Sequence, residues 1–236
     1  MYEYQGLQDV FFIMLYGMAG FFALLACVYL LFRRGNAFVG NEITSSLILR
    51  RYTAAFMAAI VASHVWWYVL GTYFLTDDRL VRNITTIMLD HVTLVPLVMA
   101  VLLAMLQDRR RPLWPWLLAQ APEVLAAALG IAARSEFWGY QVVHYWQLGV
   151  IAVFVVYYII ALRQYERWLL DNYADLERKE VWQSMVFIIV LLAVYMVYTS
   201  NAGELVREYL SQVITLVIIA FLLWRVETLQ ELDNEL

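Results

Sequence analysis

Charged residues are scarce in this chain of 236 residues: they make up 15% of it, whereas 64% of it is hydrophobic. Soluble domains carry about 25% charged residues, so this balance excludes an ordinary soluble domain. Cysteine is nearly absent, and Cys27 alone gives neither a disulfide framework nor a CxxC metal site. Lysine is represented only by Lys179, which lies between apolar runs, so the last run cannot carry a retinal Schiff base.

Long apolar runs dominate what is present. A helix needs about 20 apolar residues to cross a hydrocarbon core, and seven runs reach that length. They cover residues 10–32, 53–75, 84–106, 114–133, 140–162, 183–202 and 206–226. A lone span must satisfy its own backbone hydrogen bonds in lipid. The sequence therefore predicts an all-α integral membrane protein, a bundle of seven transmembrane helices.

Positive charge is distributed unevenly between the two ends of these spans. Of the sixteen lysines and arginines, twelve lie in the first, third and fifth connections and after the last span, and four lie on the other side. Loops rich in lysine and arginine stay in the cytoplasm. The N-terminus is thus predicted outside and the C-terminus in the cytoplasm of a multi-pass protein of the bacterial inner membrane, surrounded by membrane lipids.

Ionisable residues inside spans are costly and often functional, which makes them candidates for a ligand site. The five candidates of this kind are His64, Asp90, His91, Glu123 and His144. Gln147 and Tyr198 lie at a similar height and complete the hypothesised ligand-binding set. Because Pro96 and Pro122 lie within spans and each removes a helix hydrogen bond, we expect kinks that open a pocket for a small molecule.

A structural interpretation of the same residues stays open. Histidines in spans also hydrogen-bond between helices without any ligand. A carboxyl group in this setting stays protonated or finds a partner, and a histidine is the obvious partner for Asp90 or Glu123. Aromatic residues near the span ends line a pocket in one interpretation and form an interfacial belt in the other.

Two cytoplasmic segments have helical spacing. Residues 164–180 combine apolar and charged positions and are predicted to extend the fifth span and turn into an amphipathic interfacial helix. Residues 227–236 are predicted to begin a linker helix that continues the last span. Its seam, the expected route of signal output, consists of Leu222, Val226, Leu229 and Leu232. Spacing of this kind is typical of a coiled coil and predicts a homodimer through the C-terminal helix.

Other seven-helix functions fit less well. Histidine and carboxylate side chains are suitable zinc ligands, but there is no H-x-x-x-H or H-E-x-x-H pattern and no histidine in the last two spans. Receptors coupled to G proteins usually carry an Asp-Arg-Tyr end on the third helix, which is missing. Transporters often show an internal repeat with broken helices, and none is visible. We therefore expect no enzyme activity, no catalytic residue, no metal and no other cofactor.

Four segments carry a resemblance to a known family. They read FRRGNAF (32–38), QDRRRPLWP (107–115), WLLDNYADLERKEVWQS (168–184) and LLWRVETL (222–229). With them the chain resembles the N-terminal seven-transmembrane region of membrane-bound AraC-type transcriptional regulators of the Bacteroides group. In that family a cytoplasmic helix-turn-helix DNA-binding domain follows, and residues 1–236 lack such a domain.

The resemblance implies a membrane-embedded sensor domain that passes a ligand or membrane signal through its last helix to a cytoplasmic output domain. Residues 1–236 are expected to bind no nucleic acid directly. Three alternatives remain at this point: a membrane anchor that does not sense, a transporter of a small solute, and an intramembrane zinc hydrolase. The ligand itself is not indicated by the sequence.

Overall fold

The computed structural model describes residues 7–33, 46–72, 79–174, 176, 179–199 and 204–232. Within these ranges it leaves the side chains of residues 7–9, 70–72, 79, 194–199 and 204–208 undescribed. The regular secondary structure of the described residues is helical throughout. Its elements are α1 (Leu7–Phe32), α2 (Leu47–Thr72), α3 (Arg79–Met105), α4 (Trp114–Leu118), α5 (Ala121–Ala132), a π-helical segment (Phe137–Val142), α6 (Val143–Asn172), α7 (Gln183–Thr199) and α8 (Glu204–Thr228).

Six stretches of helix among the described residues are long and apolar enough to cross a membrane. They are Val10–Phe32, Leu47–Val69, Leu80–Met105, Trp114–Ala132, Phe137–Asn172 and Tyr209–Thr228. The apolar helix Gln183–Ala193 is shorter. The chain therefore has the helices of a multi-pass membrane protein, as its composition predicts.

The fourth apolar stretch is interrupted. Its first helix, α4, ends at Leu118, and α5 begins at Ala121 with Pro122 in its first turn. Pro122 has no N–H for the carbonyl of Leu118, and the first turn of a helix tolerates this loss best. The expected kink is therefore a helix break at this proline, whereas Pro96 lies inside a continuous α3.

The chain forms two compact units. The first comprises Met1–Val61 and Glu180–Glu231, and the second comprises Ala62–Lys179 and Leu232–Leu236. In the first unit, α8 packs on both α1 and α7. Small buried residues such as Ala19 and Ala23 give α1 a smooth face, and the rings of Phe187 on α7 and Phe221 on α8 stack 4.7 Å apart.

In the second unit, α5 and the π-helical segment form an antiparallel pair. The turn between them is closed by Arg134, which has a φ of 48°, and by a bond from the Ser135 N–H to the Gly130 carbonyl, as in a Schellman motif. At Gly130 a Cβ atom would lie 2.5 Å from the Cα of Gly139. Two glycines thus allow the two backbones to touch.

The two segments that the sequence predicts to be cytoplasmic differ in part from the expected helices. Helix α6 continues to Asn172, and at Tyr173 the backbone becomes extended. Helix α8 ends at Thr228, and residues 229–232 are not helical, so the last helix does not continue through the predicted linker. The four seam residues are buried within the single chain: Leu222, Val226 and Leu229 have no exposed surface and Leu232 is 5% exposed.

Candidate functional site

Asp90 on α3 is held by three donors from one face of α2. Ser63 Oγ donates to Asp90 Oδ1 at 2.6 Å, Trp66 Nε1 donates to the same oxygen at 3.0 Å, and Trp67 Nε1 donates to Oδ2 at 2.7 Å. Residues 63, 66 and 67 share a helix face because they are three and four positions apart. All three donors are neutral, so α2 provides hydrogen bonds to this carboxyl group but no countercharge.

The next residue, His91, faces α5 instead. Its Nδ1 lies 2.6 Å from Oε1 of Glu123, whose side chain is fully buried. The structure thus brings together two of the residues that the sequence proposes for the ligand site, one from the third predicted span and one from the fourth. The other carboxyl oxygen of Glu123 has no hydrogen-bond partner among the residues that the structure describes.

Two buried glutamines belong to the same unit as this pair. Gln120 immediately precedes α5 and is 3% exposed, and Gln147 on α6 is fully buried. In the described part of the chain, neither the amide oxygen nor the amide nitrogen of either side chain has a hydrogen-bond partner. Gln147 belongs to the predicted site, whereas Gln120 was not identified from the sequence.

The other predicted site residues are His64, His144 and Tyr198. His64 is half-buried on α2 beside Ser63. His144 is half-buried on α6, in contact with the ring of Tyr145 and within electrostatic range of His91. Tyr198 lies on α7, and its side chain lies outside the part that the structure describes.

Several aromatic rings at this level face outward rather than into the unit. Trp138, Tyr145 and Trp146 are between 41% and 69% exposed. Tyr145 and Trp146 also line a shallow surface groove of about 360 Å³ with Phe137, Gln141 and Val142. Rings in this position fit the interfacial belt, while Trp66 and Trp67 donate hydrogen bonds to Asp90.

A second polar contact belongs to the first unit. Arg50, near the start of α2, forms an ion pair with Glu227, near the end of α8, with 2.8 Å between Nη1 and Oε1. The two side chains are 5% and 0% exposed. Arg50 also donates to the backbone carbonyl of Arg33, and its guanidinium lies 5.8 Å from the centre of the Tyr29 ring.

Four of these residues, Ser63, Gln120, Arg50 and Glu227, were not identified from the sequence, for different reasons. Ser63 is at the spacing that places it beside Trp66 and Trp67, so that signal was available. Gln120 is five residues from Pro115 and two from Pro122, and its burial depends on the helix break between them. The pairing of Arg50 with Glu227 joins residues 177 positions apart, and no local pattern indicates it.

The described side chains include no group of three histidine, cysteine, aspartate or glutamate residues that could hold a metal ion. Comparisons with models of protein families, with curated proteins and with solved structures find no match to this chain.

Proposed function

We propose that this chain is a membrane-embedded sensor that detects a small molecule or a membrane condition and passes the signal to the cytoplasmic end of α8. In this proposal the chain crosses a bacterial inner membrane seven times, with its N-terminus outside. The six long apolar helices support this count, and α7 supplies the seventh span. The arginines concentrated at alternate connections support the orientation.

The observation that carries the proposal is that one continuous helix holds both polar groups. Near its start α2 carries Arg50, which pairs with Glu227 of α8. Thirteen residues later the same helix carries Ser63, which binds Asp90.

A helix of this kind transmits displacement. When a ligand or a proton changes the bonds that Asp90 accepts, the position of Ser63, Trp66 and Trp67 changes with it. A shift of α2 along or about its axis then alters the Arg50–Glu227 pair. Buried pairs of this type have few intermediate arrangements, so a small shift selects between two packings.

We further propose that the released end of α8 acts on a cytoplasmic output domain, as in the AraC-type regulators that the sequence resembles. Leu222, Val226 and Leu229 are covered within the chain in the state described here. A homodimer through these residues therefore forms only after the Arg50–Glu227 pair opens. Residues 1–236 bind no nucleic acid themselves in this scheme and catalyse no reaction.

The test is a distance measurement at the output end in the presence and absence of a change at Asp90. Spin labels at Phe32, which is 81% exposed on α1, and Trp224, which is 41% exposed on α8, report that end in a Cys27→Ala background. Asp90→Asn replaces one acceptor oxygen by an amide nitrogen, which is a donor. The asparagine side chain therefore cannot accept all three hydrogen bonds. We expect a new population in the distance distribution of this variant in lipid bilayers.

Glu166→Gln is the matched control, because Glu166 is an exposed acidic residue on α6 and its substitution also removes one negative charge. The control should leave the distance distribution as in the wild type. Identical distributions in all three proteins would contradict the sensor proposal and favour a passive anchor. Solute flux into liposomes that Asp90→Asn abolishes would favour a transporter instead.

A further inference from the structure

Among the described residues of the second unit, six buried polar side-chain atoms have no hydrogen-bond partner. One is Nε of Arg111, and the other five are both amide atoms of Gln120, both amide atoms of Gln147 and Oε2 of Glu123. The side chains of Gln120, Glu123 and Gln147 are at most 3% exposed. Buried polar groups in proteins almost always have a partner, and a missing one indicates an occupant that the protein chain does not supply.

The helix register brings these three side chains to one level. Val143 of α6 packs in a small core with Ala126 and Ala127 of α5. Because the two helices run antiparallel, Gln147, four residues after Val143, lies level with Glu123, four residues before Ala127. We name Gln120, Glu123 and Gln147 the polar layer.

A backbone contact closes the polar layer at its other end. Trp146 Nε1 donates to the carbonyl of Ala119 at 2.8 Å. Ala119 directly precedes Gln120, and Trp146 directly precedes Gln147. The layer therefore lies between the apolar core of Ala126, Ala127 and Val143 and this tryptophan contact, within one packed helix pair.

We infer that the polar layer binds an uncharged occupant that both donates and accepts hydrogen bonds through a hydroxyl group. The amide nitrogens of Gln120 and Gln147 require an acceptor, and the three oxygens require a donor. A hydroxyl group supplies both from one atom. Water and a small hydroxyl-bearing organic molecule are the two sources of this chemistry.

One oxygen of Glu123 already has a partner, because Oε1 contacts His91 at 2.6 Å. A further buried charge would be costly in this setting, so an uncharged occupant fits the layer best. The free oxygen Oε2 is then available as an acceptor for an O–H group.

The first experiment compares Gln147→Met with Gln141→Met by thermal unfolding of the full chain in lipid nanodiscs. If the layer is occupied, the Gln147 variant loses bonds to the occupant, and the melting temperature falls by about 2–8 °C. If the layer is empty, removing an unsatisfied amide raises the melting temperature instead. Gln141 is exposed, and its variant should melt within about 1 °C of the wild type.

The second experiment identifies the occupant in the wild-type protein and needs no variant to fold. Solid-state NMR of protein labelled with ¹⁵N-glutamine in bilayers reports magnetisation transfer from water to side-chain amides, and native mass spectrometry reports a bound organic molecule. A water signal at the Gln147 amide supports the water source, and a neutral adduct supports the organic source. Absence of both signals refutes the inference. A melting temperature that rises with added sodium or an amine refutes it as well, because the occupant is inferred to be uncharged.

That the polar layer is occupied can be tested without the proposed function. The inference rests on that function only in taking the occupant to be the ligand of the sensor. Its readouts measure occupancy, whereas the distance measurement above reports transmission from Asp90. An empty layer with an intact response of the α8 end would refute this inference alone. An occupied layer without any response to Asp90→Asn would refute the sensor proposal alone.

Discussion

Removing one member of the Arg50–Glu227 pair should destabilise the protein far more than removing both. The pair joins atoms 2.8 Å apart, and its side chains are 5% and 0% exposed. In Arg50→Met the carboxylate of Glu227 remains buried without its countercharge, which costs about 3–5 kcal/mol in comparable buried pairs. The double variant with methionine at both positions removes both charges of the pair, and we expect it within about 1 kcal/mol of the wild type.

The assay is reversible unfolding in mixed detergent micelles, monitored by far-ultraviolet circular dichroism and analysed as a double-mutant cycle. Arg51→Met serves as the control, because Arg51 is the exposed neighbour of Arg50 on the same helix, and its loss should change stability by less than about 0.5 kcal/mol. A cost below about 1 kcal/mol for Arg50→Met, the range of an exposed pair, would refute the reasoning. Equal costs for the single and double variants would refute it as well.

Four further substitutions test packing and hydrogen bonding in the second unit. In Gly130→Ala a Cβ atom would lie 2.5 Å from a backbone atom of Gly139, and we expect a loss of about 1–3 kcal/mol in the same unfolding assay. Gly149→Ala meets no atom within 4 Å and should be neutral or stabilising by up to about 1 kcal/mol; equal effects at the two glycines would contradict the close approach. Arg134→Gly relieves a left-handed backbone conformation with a φ of 48° and should stabilise the protein by about 1 kcal/mol, whereas a loss would show that the side chain outweighs the strain. Trp67→Phe removes the donor that lies 2.7 Å from Asp90 and should cost about 1–3 kcal/mol; an unchanged midpoint would contradict that bond.

The membrane-spanning character of the helices could be predicted because it depends on composition over about 20 residues, and six of the seven predicted runs coincide with long apolar helices. At Pro122 the sequence predicts a kink, and the structure has a complete break between α4 and α5. Pro122 indicates that a hydrogen bond to Leu118 is lost, but whether the helix bends or stops depends on how the freed groups are satisfied. In this chain the Gln120 N–H bonds to the Leu117 carbonyl, and α5 begins afresh.

The end of α8 shows a limit of periodicity. Leu222, Val226 and Leu229 have the spacing of a coiled-coil seam, and the sequence assigns them to a partner chain. The structure buries them within the same chain. The spacing predicts that this helix face is apolar and buried. It does not show whether the residues that bury it belong to the same chain or to a second copy.

The candidate site was predicted in its residue types more than in its contacts. The expectation that a histidine would partner a buried carboxyl group is met by His91 and Glu123. Asp90 is bound instead by Ser63 and two tryptophans, which no rule about opposite charges would select. Pairing between helices depends on their rotation and register, and these follow from the whole packing of the unit rather than from any local stretch.

The central claim is that α2 couples Asp90 to the Arg50–Glu227 pair, and solid-state NMR of the pair tests it most directly. The measurement compares the guanidinium ¹⁵N shifts of Arg50 and the carboxyl ¹³C shift of Glu227 in the wild type and in Asp90→Asn, with Glu166→Gln as the control. The account predicts that these shifts change in Asp90→Asn and stay unchanged in the control. Shifts at Arg50 and Glu227 that are the same in all three proteins would contradict it.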